Sequence, residues 1–448
     1  MEAVKDRATE ERASGVPEGA TQGAEVRARW AWSEPVVWTE RMLTALEEGV
    51  KGGKWYSLID KVYLRANLRS AFAKVAENEG AAGADRQTIE MFGKEREANL
   101  ERLAEEVKDG TYRPKPVRRE WIDKPGSKEK RPLGIPTVGD RVVQKALLNV
   151  LEPIFERDFA THSYGFRPRR GCKDALRRVD ELLKAGYTWV VDADLKGYFD
   201  SIPRDQLVER VKEKVSDGRV IELITHYLKQ GVLDGCEYWE PEAGTPQGAV
   251  LSPLLSNIYL DPLDHRMAGE GIEMVRYADD FVLLCRSEEE AQRALEMVQQ
   301  WTAQAGLTLH PEKTRLVDAT GRGGFDFLGY HFERGMKWPR KKSLGKFKDA
   351  IRKKTRRNSG LSLERIIENV NRTVRGWYEY FQHSHRFTFK PLDAWIRMRL
   401  RSILRRRHKR KGRGRGRDHQ RWPNAYFVKR GLFLLTAARA TAVQSSRR

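Results

Sequence analysis

Cysteine is scarce in this sequence: three residues, Cys172, Cys236 and Cys285, stand far apart in a chain of 448. That excludes a disulfide framework and a Cys-x-x-Cys zinc knuckle, and it suits a reducing compartment. No run of 18 apolar residues occurs, so no membrane-spanning helix is expected. Met1–Gly23 is polar and charged, with none of the apolar stretch of a secretory signal. Acidic residues are in deficit: 63 Asp and Glu face 84 Lys and Arg, for a formal charge of +21 and a pI near 9.8. A surplus of that size points to a polyanion, nucleic acid before an anionic membrane. Internal repeats are absent as well. What the chain does have is 40% hydrophobic residues, enough for real cores, and a length that suggests two to four domains at about 150 residues each.

Read in order, residues 1–29 are rich in Glu, Ala, Gly and Arg, with little to bury. A helix can start at Trp38–Leu46. Leu64, Leu68, Phe72 and Val75 recur at helical spacing within Ile59–Val75, and a second helical pattern covers Thr88–Lys108. Tyr112–Pro136 interleaves five prolines with Lys and Arg; Arg118–Asp123 and Arg131–Ile135 can pair as a basic hairpin suited to phosphate, or form a solvated loop. Asp140–Phe159 carries a wide apolar stripe (Val142, Val143, Ala146, Leu147, Val150, Leu151, Ile154). The loop Ser163–Gly171 mixes Tyr164 and Phe166 with Arg167, Arg169 and Arg170, a composition that stacks bases and binds phosphate. Helices are expected at Lys173–Lys184, Asp205–Gln230 and Glu288–Ala305, and another after the Gly/Pro turn at Gly244–Gly248, with Ser252 as N-cap and Pro253 at its first position.

Two stretches concentrate carboxylates. In Val275–Leu284, Asp279 and Asp280 stand between apolar runs that read as strands, Glu273–Tyr277 and Phe281–Cys285, with Ala278-Asp279 at the tip of a tight hairpin. A carboxylate pair raised beside a buried sheet is costly unless cations neutralise it. In Thr188–Asp200, Trp189–Leu195 reads as a buried strand, and Asp192 and Asp194 share one of its faces. Either could supply a third ligand beside the hairpin. A further strand pair surrounds Gly329 within Phe325–Phe332. The order strand, helix, hairpin, helix, strand suits an antiparallel sheet backed by two helices, the ferredoxin-like arrangement of a polymerase palm.

After Trp338 the composition turns basic. Leu361–Phe381 is a helical pattern ending in Trp377, Tyr378, Tyr380 and Phe381. Arg401–Arg417 holds ten Lys or Arg among seventeen residues and no acid; Arg399–His408 continues a helix, Gly412–Arg417 reads as a flexible basic linker, and Arg421–Leu435 is apolar enough to fold back as a small last module.

Residues from about 56 to 435 resemble bacterial group II intron-encoded reverse transcriptases, or maturases. The resemblance rests on ordered blocks: Arg131-Pro-Leu-Gly-Ile-Pro136, Ser163-Tyr-Gly-Phe-Arg-Pro168, Asp194-Leu-Lys-Gly-Tyr-Phe-Asp200, Gly244-Thr-Pro-Gln-Gly248 through Asn257-Ile-Tyr-Leu260, Arg276-Tyr-Ala-Asp-Asp-Phe281, Leu307–Thr314, Phe325-Asp-Phe-Leu-Gly-Tyr330 and Arg375-Gly-Trp-Tyr-Glu-Tyr-Phe381. Three departures stand out: Ala249 where the family often has glycine, Tyr198 where Phe is commoner, and Gly83-Ala-Asp-Arg86 in place of Gly-x-Asp-Gly.

The resemblance implies an α+β right-hand polymerase: helical fingers, a ferredoxin-like palm with an antiparallel sheet, an α-helical thumb and a small basic C-terminal DNA-binding module. Its boundaries would be 1–55 for a partly disordered N-terminal extension, 56–335 for fingers and palm, 336–395 for the thumb or maturase domain, and 396–448 for the basic region. It implies an RNA-directed DNA polymerase that binds its intron RNA, assists splicing and copies the RNA into cDNA during mobility. Asp194, Asp279 and Asp280, with the Leu195 carbonyl, would hold two Mg²⁺ (or Mn²⁺) roughly 3.5–4 Å apart. The block that follows Asp194 selects it over Asp192. Lys124, Arg131, Phe199, Gln247 and Ala278 would form the nucleotide site, with Phe199 crowding a ribose 2′-hydroxyl and so favouring dNTPs. Tyr277 and Lys313 would touch primer and template. Arg405, Arg406, Arg407, Lys409, Arg410, Lys411, Arg413, Arg415 and Arg417 would bind RNA and DNA phosphates.

The implied partners are intron RNA in a ribonucleoprotein, target DNA, a primer–template duplex and dNTPs, with no membrane; the implied location is the bacterial cytoplasm, on the nucleoid when DNA is bound. With no cysteine after Cys285, a metal-dependent endonuclease domain and second-strand nicking are not expected, as in the compact class C introns. A domesticated, defence-associated reverse transcriptase and a splicing-only maturase are the alternatives.

Overall fold

A computed structural model describes residues 25–123, 130–412, 414 and 416–445. Its strands are β1 (Val117–Asp123), β2 (Lys130–Ile135), β3 (Trp189–Asp194), β4 (Val232–Asp234), β5 (Glu237–Trp239), β6 (Glu273–Tyr277), β7 (Asp280–Cys285), β8 (Arg315–Asp318), β9 (Phe325–Phe327), β10 (Tyr330–Glu333) and β11 (Met336–Pro339). The chain divides into two compact units. One takes the segments up to Glu120, Pro132–Phe159 and Ile202–Tyr259; the other takes Trp121–Arg131, Ala160–Ser201 and Leu260–Arg448.

The first unit is built on the helix Val138–Glu156, whose apolar stripe is buried as the sequence predicts. Thr137 caps its start, the hydroxyl accepting from the Asp140 amide at 3.1 Å. The helix Arg65–Glu77 packs on it through a buried amide pair, Asn149 donating to Asn67 at 2.8 Å and Asn67 to the Ala146 carbonyl at 3.0 Å. The N-terminal segment joins this core from residue 25: Trp38 is fully buried and its indole N–H donates to the Asn149 carbonyl at 2.9 Å. Residues 1–24, part of the expected extension, lie outside the described residues. The expected hairpin forms from β1 and β2 and extends through β4 to β5, giving the order β2-β1-β4-β5 with β1 and β4 parallel.

The single helix expected over Asp205–Gln230 is instead two, Arg204–Lys212 and Gly218–Leu228. Asp217 makes the break. One of its oxygens caps the second helix at the Arg219 and Val220 amides (3.0 and 3.2 Å), and the other accepts from Leu58 and Ile59 (2.6 and 2.9 Å). Thr88–Lys108 likewise divides, at Glu95.

The second unit carries the antiparallel sheet β6-β7-β3-β8. Counted along the chain these are the second, third, first and fourth strands of the set, the ferredoxin-like order the sequence predicts. The helix Glu288–Gln304 packs on β3 and β7, and Cys172–Lys184 on β6. Val190, Val275, Val282 and Leu284 fill the interior together with Phe325, Phe327, Tyr330 and Phe332.

Beyond the palm sheet, β9, β10 and β11 form a meander. β11 therefore belongs with the sheet that the expected boundary at 335 would cut off. The helices Lys341–Lys354, Leu363–Phe381 and Phe389–Arg407 follow. The expected boundary between 395 and 396 falls inside the last of these. Trp422, Phe427, Leu432 and Leu435 share one core with Ile366, Val370, Leu392 and Ile396, so the segment after 396 folds into the thumb rather than forming a module of its own. The physical reason is burial: that segment is too short to cover its own aromatic residues.

Candidate active site

The strand register brings the carboxylates together. Asp194, the last residue of β3, stands directly opposite Asp280, the first of β7; Tyr277 pairs with Asp280, which leaves Ala278 and Asp279 as a two-residue hairpin tip. Ala278 has φ +59°, a left-handed conformation more usual for glycine, and it is buried. The loop Ala160–Gly165 braces the hairpin: the Arg276 amide donates to the His162 carbonyl at 3.0 Å and the Tyr164 amide to the Arg276 carbonyl at 2.8 Å. Gly165 is needed there, because a Cβ would lie 2.2 Å from the Ala278 nitrogen.

Like charges directly opposite on neighbouring strands repel. Burial, reinforced by Asp192, Asp279 and Asp194, pushes the Asp280 carboxyl up to about 7. Asp279 is raised as well, by burial and by Asp194, with Arg131 and Arg276 acting against it. Asp192 is raised chiefly by burial. The cluster is short of positive charge.

Part of that charge comes from the strand behind. Lys313 reaches Asp194 at 2.6 Å, and Arg315 on β8 holds Asp192 at 3.2 Å. The segment before β8 is fixed for this purpose: the His310 amide donates to the Asp194 carbonyl and the Lys196 amide to the Thr308 carbonyl, both at 2.8 Å. These two bonds close the Leu195–Leu309 bridge without using the Leu195 carbonyl. Lys313 thus lies on a proposed metal ligand rather than beside it.

Hard carboxylate oxygens, raised pKa values and facing register fit a hard divalent cation. The three side chains are not gathered as a finished cage: among the described residues no group of three or more His, Cys, Asp or Glu is close enough to hold a metal ion. Asp194 faces Lys313 instead.

The other expected site residues are distributed as follows. Phe199 is half-buried in the single turn Tyr198–Ser201 directly after β3, edge-on to Tyr198 with ring centres 5.5 Å apart. Arg131 is exposed on β2, and its charge reaches Asp279. Tyr277 is half-buried; the Cys172 thiol and burial push its hydroxyl up to about 12. In the other unit, Gln247 accepts from the Gly134 amide at 2.7 Å through its carbonyl, and a Cβ on Gly248 would meet the Gly134 oxygen at 2.4 Å. Lys124, Arg413 and Arg415 lie outside the described residues. In the basic segment Arg406, Arg407, Lys409, Arg410, Lys411 and Arg417 are exposed, but Arg405 turns inward to the buried Asp418 and to the Lys411 carbonyl (2.7 Å).

Three supporting residues escaped the sequence reading. Arg276 is visible in the sequence only as part of a motif and Asp264 carries no signal there, yet they form a buried pair behind the hairpin. Gln144 sits in the apolar stripe of Val138–Glu156 and accepts from the Val250 and Leu251 amides at 2.8 and 3.3 Å. A polar residue interrupting an apolar stripe was the available signal.

A ferredoxin-like sheet that carries facing carboxylates at the end of its first strand and on its hairpin has the arrangement of a polymerase palm. The pattern of the family described as "Reverse transcriptase (RNA-dependent DNA polymerase)" matches residues 122–332, and that described as "Group II intron, maturase-specific domain" matches residues 344–422. The chain is 41% identical over 196 residues to the group II intron-encoded protein LtrA of Lactococcus lactis subsp. cremoris, a match that covers 43% of this chain and 32% of LtrA. It is 31% identical over 346 residues to protein YkfC of Escherichia coli (strain K12), covering 68% of this chain and 86% of YkfC. Among solved structures, a chain of the partial Cas6-RT-Cas1–Cas2 complex is 26% identical, with 55% of this chain and 41% of that chain covered and a TM-score of 0.36. The chain belongs to the group II intron reverse transcriptase and maturase family. It spans about a third of the length of LtrA.

Proposed function

We propose that this chain is an RNA-directed DNA polymerase that binds intron RNA, assists its splicing and copies it into cDNA. The observation that carries the reading is the carboxylate cluster: Asp194 opposite Asp280, Asp279 at the tip, and too little positive charge around them. Asp194, Asp279 and Asp280 would hold Mg²⁺, which when bound supplies charge neutralisation and polarises the reacting oxygens. The protein's own contribution is placement and electrostatics. The braced tip, with a small residue at Ala278, lets a primer end come close to Asp279. Arg131 and Lys124 would meet the triphosphate, where positive charge offsets charge developing in the transition state. Phe199 would stand against the sugar, and Gln247 would line the nucleotide and template pocket. Tyr277 would flank the primer end, and Lys313, released from Asp194 by the cation, would be free for primer, template or phosphate.

The maturase-specific match and the exposed Arg406, Arg407, Lys409, Arg410, Lys411 and Arg417 support RNA binding through phosphate contacts. LtrA's own description as a group II intron-encoded protein supports intron RNA as the partner. Target DNA would be met by the same basic segment. The test is primer extension on an RNA template with dNTPs and Mg²⁺, alongside a splicing assay on the neighbouring intron. Wild type should make cDNA, and Asp279→Ala should make none while retaining splicing assistance. A wild-type protein that makes no cDNA overturns the polymerase reading.

A further inference from the structure

Within the second unit a cleft runs between the helix Cys172–Lys184, the β9–β11 meander and the C-terminal end of Leu363–Phe381. None of the residues assigned above to polymerisation lines it. Its inner part, about 190 Å³, is walled by Lys173, Arg177, Lys337 and His383 and by the rings of Tyr330 and Tyr380. Its outer part, about 600 Å³, shares Asp180, Lys337 and His383 with the inner one and continues past Lys184 to Tyr378, His385 and Arg439.

Five permanent cations, Lys173, Arg177, Lys184, Lys337 and Arg439, therefore line the two parts against one carboxylate, Asp180. Asp180 is shared between Lys184 at 2.7 Å and Lys337 at 3.1 Å. Among the described residues Lys173 and Arg177 pair only with the exposed Glu379 and Asp174, at 3.5 and 3.0 Å. Exposed pairs of this kind are worth about 1 kcal/mol or less and yield readily to a phosphate. His383 is held below the usual imidazole range by burial and then by Lys337, Lys173 and Arg177, a sign of the same positive field.

The wall also holds polar groups that lack partners. The Tyr378 hydroxyl and His385 Nδ1 are buried atoms without a hydrogen bond, and both residues line the outer part. Tyr378 is 9% exposed, and the His385 ring is fixed by Trp338 at 4.4 Å. Leaving such groups unsatisfied costs about 1–3 kcal/mol each. Against the edge of His385, at 4.9 Å, lies Phe387, 62% exposed and topped by the Arg386 guanidinium at 5.0 Å. An exposed ring beside a cation is a stacking platform for a base.

We propose that this cleft is a second nucleic-acid site, one that takes a single RNA strand: phosphates along Lys173, Lys337 and Arg439, a ribose against Tyr378 and His385, and a base on Phe387. Two cavities that share Asp180, Lys337 and His383 suit a chain of repeated anions better than one phosphate. RNA is favoured over DNA because a 2′-hydroxyl both donates and accepts, as the two unpartnered groups require. The proposal deepens the RNA-binding reading above and rests on it.

The test uses the full chain, saturated with a primer–template duplex, and measures binding of a labelled, unstructured RNA oligonucleotide and the DNA of the same sequence. Wild type should bind the RNA more tightly. Lys173→Ala combined with Lys337→Ala should weaken RNA binding about tenfold and lower the slope of log K against log salt by one to two. Tyr378→Phe, which removes one atom and leaves the packing, should weaken RNA about threefold, leave DNA unchanged and leave the salt slope alone. RNA affinity within twofold of wild type in both variants overturns the site. Equal weakening of RNA and DNA by Tyr378→Phe overturns the assignment to RNA. Primer extension run in parallel separates the two readings: a wild type that makes cDNA while its RNA binding ignores the cleft variants overturns the cleft alone, and one that neither makes cDNA nor binds RNA overturns both.

Discussion

Arg276 and Asp264 form a fully enclosed ion pair behind the Ala278-Asp279 hairpin tip. Both side chains are 0% exposed, and the guanidinium Nε meets the two carboxylate oxygens at 2.8 and 3.0 Å. Burial alone would make Arg276 easier to deprotonate; the Asp264 charge more than reverses that and holds it cationic. The same guanidinium also holds the tip, since Nη1 donates to the Ala278 carbonyl at 3.0 Å. The pair thus clamps the one residue of the tip that has a left-handed backbone, next to Asp279.

The clamp predicts a divided effect. Arg276→Ala leaves a buried carboxylate alone and should cost about 3–5 kcal/mol of stability in urea unfolding. Arg276→Lys keeps the charge but cannot fork. It should stay folded, yet need several-fold more Mg²⁺ for half-maximal primer extension and turn over more slowly. Unchanged Mg²⁺ dependence in Arg276→Lys would show that the fork does not position the tip.

The Lys313–Asp194 contact leads to a prediction of opposite sign for metal binding. If Lys313 stands where a cation must come, removing it should favour the cation while harming the reaction. Lys313→Ala should bind Mg²⁺ a few-fold more tightly in titration calorimetry without substrate, and should incorporate dNTPs more slowly. Weaker Mg²⁺ binding in Lys313→Ala would make the lysine a support for the site instead of a competitor.

The palm was legible because its signals are local. Asp192 and Asp194 share a face by strand periodicity, and the apolar run Phe281–Cys285 next to two carboxylates marks a hairpin. Register decides what periodicity leaves open: β7 sets Asp280 opposite Asp194, while β8 sets Arg315 opposite Asp192. Those pairings are long-range and leave no trace in the spacing of residues. The same limit hid Asp264, whose partner lies twelve residues away across a turn, and the breaks at Asp217 and Glu95 inside patterns that stay apolar at helical spacing. The basic tail read as a linker and module because its charge is obvious, whereas the core it shares with Leu363–Phe381 depends on scattered residues such as Trp422 and Phe427.

Phe199 offers a test of sugar choice. It follows Asp194 by five residues, on a turn whose other aromatic, Tyr198, is buried and supports it edge-on. Phe199→Ala should remove the obstacle to a 2′-hydroxyl and reduce the preference for dNTPs over rNTPs by at least about tenfold, while Tyr198 keeps the turn in place. Single-nucleotide incorporation with matched dNTP and rNTP measures this. Unaltered selectivity would release Phe199 from the role.

Glu152 predicts a pH dependence of stability in the first unit. It lies on the helix Val138–Glu156, where burial pushes its carboxyl from the usual value near 4.5 up to about 7; Lys145 opposes the shift and Glu156 adds to it. The folded state therefore keeps a proton that the unfolded chain releases near 4.5. Between about 4.5 and 7 the folded form binds more protons, so stability falls as pH rises through that window and is flat above it. Glu152→Gln removes the charge and keeps the shape. It should leave melting at pH 4 nearly unchanged, raise stability at pH 8 by about 1–3 kcal/mol, and abolish the slope between. A variant that is less stable than wild type at pH 8 would mean that the ionised carboxylate is held favourably, with Lys145 outweighing burial.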